Sequence, residues 1–86
     1  MNPTIIAEIA ALTDHNLHTA SLMVLARALG DSDALAELDI IFGVVRLYGY
    51  IPQPQYTLRR KISDRLLAAV EARYGSDTLA AVRAAL

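Results

Sequence analysis

With 86 residues, a formal net charge of −1 and a pI near 6.0, the chain has room for one domain and exerts no global pull on nucleic acid or anionic membrane. It has no cysteine, which excludes disulfides and thiolate metal sites. Yet 55% of its residues are hydrophobic and the mean hydropathy is +0.35, so a domain this small leaves apolar area outside its core. That composition favours an oligomer, or a larger protein partner, over a free monomer.

Punctuation along the chain is clean. Gly30, Gly49 and Gly75 each follow an apolar-rich segment, where a glycine just past the last turn ends a helix. Asn2 before Pro3, Asp14 or Asn16, Ser32 or Asp33, Thr57 and Ser76 are the candidate N-caps. The expected fold is all-α: a small single-domain bundle covering 1–86, with about five short helices near 3–13, 16–29, 33–48, 57–74 and 77–85.

The first helix is amphipathic, with Ile5, Ile9 and Leu12 at helical spacing. No basic region followed by a long apolar run opens the chain, so a secretory signal is not expected and a cytoplasmic location is. In DHNLH, His15 and His18 share a helix face and Asp14 lies beside them. Two ligands and a neighbour do not make a metal site, and the expectation is no metal and no cofactor.

The second and third helices differ from the first. In NLHTASLMVLARAL only Arg27 is charged, and LDIIFGVVRLY is apolar on every side except at Asp39 and Arg46. Helices of that kind are central or shared with a partner. The β-branched run Ile40, Ile41, Val44, Val45 also permits a buried strand over 38–47; helix is preferred because a lone strand has nothing to pair with. Gly43 would then let another helix cross closely. The apolar run around Ile40–Val45 is too short to span a bilayer, and no membrane association is expected.

SLMVLARALGDSDALAELDII has the outline of a helix-turn-helix, but its second helix presents Asp31, Asp33, Glu37 and Asp39. An acidic surface in that position repels phosphate instead of neutralising it. Charge is split along the chain: residues 1–43 carry six acids against one base, and residues 44–86 seven bases against three acids. Such halves neutralise each other within one fold or between copies.

The stretch RLYGYIPQPQYTLRRK, residues 46–61, holds three of the four tyrosines and two of the three prolines. Pro52 and Pro54 bias Ile51 and Gln53 toward extended backbone, and Tyr48 and Tyr56 are expected to close over the corner between two helices. With Thr57 as cap, Arg59, Arg60 and Lys61 would crowd positive charge onto the positive end of the fourth helix. Three anions would offset that cost: the acidic Asp31–Asp39 segment of the same chain, the same segment on another copy or a partner, or phosphate.

These features point to a non-enzymatic interaction module of adaptor or inhibitor type. No nucleophile–base set, glycine-rich phosphate loop or acid pair is present in the sequence to argue for catalysis. The expected partner-binding residues are Leu22, Met23, Phe42, Tyr48, Tyr50 and Tyr56 as anchors, with Arg59, Arg60 and Lys61 as charged contacts. The alternative is a regulatory nucleic-acid binder using Arg59, Arg60, Lys61 and Arg65.

Overall fold

Five helices account for nearly all of the computed structural model, which describes residues 1–12 and 18–86. They are α1 (Pro3–Ala11), α2 (His18–Leu29), α3 (Ser32–Tyr48), α4 (Gln53–Tyr74) and α5 (Ser76–Ala85). Among the described residues there is no strand, so residues 38–47 are helical and the fold is a small all-α bundle. The Asp14, His15 and Asn16 features read from the sequence lie outside the described residues.

Helix α2 is the hub. It packs against α1, α3 and α4, while α5 closes the bundle by packing on α1 and α4. Leu22, Leu25, Ala26 and Leu29 follow the spacing of one helical face, and all are buried. Thr19 and Ser21 are buried with them, and the Ser21 hydroxyl donates to the Leu12 carbonyl at 3.2 Å, fastening the end of α1 to α2. Around this strip the core takes Ile9 from α1, Ala34, Leu38, Ile41 and Val45 from α3, Ile62, Leu66 and Val70 from α4, and Val82 from α5.

The helix ends have local causes. Asn2 caps α1 as expected, its Oδ1 accepting the Thr4 N–H at 2.9 Å. At the α2–α3 turn Gly30 takes φ 71°, a left-handed conformation that a side chain would strain. The cap of α3 is Asp31, one residue before the candidates Ser32 and Asp33; its Oδ1 accepts the Ala34 N–H at 3.0 Å. Gly49, at φ 76°, ends α3.

Helix α4 departs most from expectation. It starts at Gln53, with Pro52 as N-cap and Pro54 within the first turn, not at Thr57. Proline has no N–H to satisfy and its ring presets a helical φ, so the first turn accommodates Pro54, while Pro52 keeps an extended backbone at the cap. IPQPQ is therefore half connection and half helix. Helical spacing in the sequence puts Leu58, Ile62, Leu66, Ala69 and Val70 on one side of α4; Ile62, Leu66 and Val70 are buried on that line, but Leu58 is exposed and Arg59 takes the inward place at its start.

Asp31 does two things at once, capping α3 and pairing its Oδ2 with the Arg65 Nη2 of α4 at 3.2 Å. Replacing Asp31 with Ala should lower the unfolding free energy by about 0.5–2 kcal/mol, because the cap is lost. Asp31→Asn keeps a capping oxygen and should cost less than about 1 kcal/mol, the worth of a half-exposed ion pair. Urea denaturation of the two variants beside the parent separates cap from charge.

Candidate functional site

The four buried residues of α3, Ala34, Leu38, Ile41 and Val45, define its inward face. At about 100° per residue, the opposite face carries Ala36, Ile40, Gly43 and Leu47. These are exposed, Ile40 at 69% and Leu47 at 78% of their full accessibility. A β-carbon built on Gly43 meets no atom within 4 Å, so among the described residues no helix crosses there. The close crossing expected at Gly43 is not made inside the fold. A glycine in an exposed helix interior costs about 0.5–1 kcal/mol relative to alanine, and nothing in the bundle uses the space it leaves.

An aromatic corner stands at the C-terminal end of α3. Tyr48 and Tyr50 are exposed at 57% and 61%, with ring centroids 5.9 Å apart in a tilted pair. At the α3–α4 corner Tyr56 is 40% exposed and Ile51 packs against the core. Flanking the outer face are Asp39 and Arg46, both exposed and two turns apart on one side of α3. The Arg46 guanidinium lies 5.9 Å from the centroid of the half-buried Phe42 ring, which holds it along that flank.

The other expected contact residues separate into different environments. Leu22 is fully buried in the core and so forms no surface anchor, while Met23 packs partly buried against the core. Arg59 is also interior, only 6% exposed. Its Nη1 donates to the Thr19 Oγ1 of α2 at 2.9 Å, and its guanidinium sits 5.7 Å from the centroid of the Tyr56 ring. Burial pushes its pKa below the ordinary arginine value, opposed by the neighbouring Tyr56 phenol. Arg60 and Lys61 remain exposed. Because α4 starts at Gln53, all three bases lie beyond its first turn, where the helix dipole has little hold on them. The charge conflict inferred from the sequence dissolves once the helix start moves.

The basic cluster of the alternative reading is thus divided: Arg59 is tied to Thr19, Arg65 is paired with Asp31, and only Arg60 and Lys61 stand clear. An open hollow beside Arg59 is lined by His18, Tyr56, Arg60, Ser63 and Asp64, so an acid shares it with the cations. The acidic segment is divided as well. Asp31 is engaged with Arg65, Asp33 lines a second hollow near Arg73, and Glu37 and Asp39 project from different sides of α3.

Ile40 and Leu47 are the surface residues that sequence reasoning missed. Their signal was present in the helical wheel, diametrically opposite Leu38, Ile41 and Val45. In a segment apolar on every side, however, periodicity does not say which side faces in. No family model matches the chain, and no curated protein or solved structure matches it either.

The divided basic cluster gives a test. Arg59→Ala should lower the unfolding free energy by about 1–3 kcal/mol, since Thr19 loses its buried partner and the arginine stem leaves a gap. Arg60→Ala and Lys61→Ala should stay within about 0.5 kcal/mol of the parent. Guanidinium melts of the three variants measure both halves of this expectation.

Proposed function

We propose that this chain is a small cytoplasmic, non-enzymatic protein-interaction module that docks through the outer face of α3 and the adjoining tyrosines. The observation that carries the reading is the exposure of Ile40 and Leu47 on a helix whose opposite face is already buried. Covering one such side chain completely is worth about 1.5–3 kcal/mol, so two of them with a tyrosine pair make an adequate centre for a contact. Tyr48 and Tyr50 supply broad amphipathic rings at little entropic cost, while Asp39 and Arg46 form a polar rim that sets orientation.

Compared with the residues expected from sequence, this surface keeps Tyr48 and Tyr50, uses Phe42 as a support for Arg46, and gains Ile40 and Leu47. It does without Leu22 and Arg59, which are interior. Arg60, Lys61 and Tyr56 lie on α4 beyond the corner and have no part in it. The reading rests on apolar area and shape, with no bond made or broken. Among the described residues no helix is long and apolar enough to cross a membrane, so the α3 face is not part of a membrane-spanning helix.

A photo-activated cross-linking residue placed at position 47 in the living host tests this docking, with one at exposed Ala84 as control. Adducts should form from position 47, be scarce from position 84, and disappear when Ile40→Glu is added. Ile40→Glu should leave stability within about 0.5 kcal/mol of the parent, because its side chain supports nothing in the bundle. No adduct from position 47, or adducts indifferent to Ile40→Glu, would count against this face.

A further inference from the structure

Building on the reading that the outer face of α3 docks, we infer that its partner is a second copy of this chain, packed antiparallel about a two-fold axis at Gly43. The argument is one of registration. A two-fold axis perpendicular to paired antiparallel helices maps each residue onto one equally far on the other side of a central position. The midpoint of Ile40 and Leu47 and the midpoint of Asp39 and Arg46 both fall within half a residue of Gly43. Ile40 of one copy therefore meets Leu47 of the other, twice, while Asp39 meets Arg46, twice.

The flanks agree with this hand. In an antiparallel two-fold pair the same flank of both helices lies on the same side of the contact, so Asp39 and Arg46 are brought edge to edge. A parallel two-fold pair would place that flank against the opposite one and leave both charges unmatched. Phe42 holds the Arg46 guanidinium along the flank, 5.9 Å from its ring centroid, which reduces what must be ordered on association. On the far flank, Glu37 falls opposite Gly49 of the other copy, so no like charges are opposed.

At the axis the two glycines face each other. Nothing lies within 4 Å of a β-carbon built at Gly43, and its absence lets the helix axes approach closely. One helix face of this length covers less than the roughly 800 Å² per partner of a standard interface, so the expected dissociation constant is micromolar.

Sedimentation equilibrium of the full chain from about 1 to 500 µM reads the association directly. The wild type should approach twice its monomer mass over that range. Asp39→Arg and Arg46→Asp, both at exposed positions, should each weaken self-association by about tenfold or more, because each sets like charges opposite one another twice. An equimolar mixture of D39R with R46D should recover a mixed dimer within about threefold of the wild-type affinity, since opposite charges then face each other at both contacts. Gly43→Leu should abolish the dimer while leaving the circular dichroism of the helices unchanged.

A wild type that stays monomeric to about 500 µM overturns the second-copy inference, and so does a dimer indifferent to the charge reversals. Adducts from position 47 tell the two readings apart. Self-adducts support both, adducts to another protein by a monomeric chain leave the docking face standing without the second copy, and no adducts remove both.

Discussion

Everything in this bundle is arranged around the need to cover α2. That helix offers one charge, Arg27, in its last turn and is apolar or small on most other sides, so it must be surrounded. A chain of this size has few elements with which to do so. Helices α1, α3 and α4 each turn a face to it, and α5 closes the gap between α1 and α4. Each covering helix has then committed one face inward, and what lies on its other face meets water. For α1, α4 and α5 that outward side is largely small or polar. For α3 it is Ile40, Gly43 and Leu47.

Polar contacts refine the same arrangement. Arg59 reaches from the early part of α4 to Thr19 at the start of α2, and Asp31 reaches from the cap of α3 to Arg65 further along α4. Both ties join α4 to the α2–α3 pair, at points 34 and 40 residues apart in sequence. Their environments differ sharply. The Asp31–Arg65 pair is half exposed and worth little beyond the cap, whereas Arg59 is a desolvated cation whose partners among the described residues are a hydroxyl and an aromatic face. The second is the stricter constraint on how α4 lies.

Surface and interior thus have one origin. The interior consumes the regular stripes of α2, α3 and α4, and the most exposed large apolar side chains that no stripe absorbs lie on α3 and just past its end, with Tyr56, Leu58 and Tyr74 less exposed on α4. Tyr48, the last residue of α3, and Tyr50, just after it, form an exposed ring pair at Gly49, where the left-handed turn redirects the chain toward α4. The charges Asp39 and Arg46 border the outer face of α3. An interaction built on such a face takes its affinity from apolar cover and its register from the border.

The sequence by itself determined the class of fold, the number of helices and most of their ends. Those properties are local: glycines at Gly30, Gly49 and Gly75 need positive φ, Asn2 caps before Pro3, and apolar spacing marks the helices. It also pointed to apolar surplus on the third helix and to the 46–61 corner as distinctive. Only the tertiary structure decided which side of α3 faces in, that Leu22 and Arg59 are interior, and that α4 begins at Gln53. The reason is physical. A segment apolar on every side contains several equally good stripes, and the choice among them belongs to the neighbour it packs against. A basic residue has no sequence mark that tells a solvated charge from one meeting a hydroxyl 40 positions away.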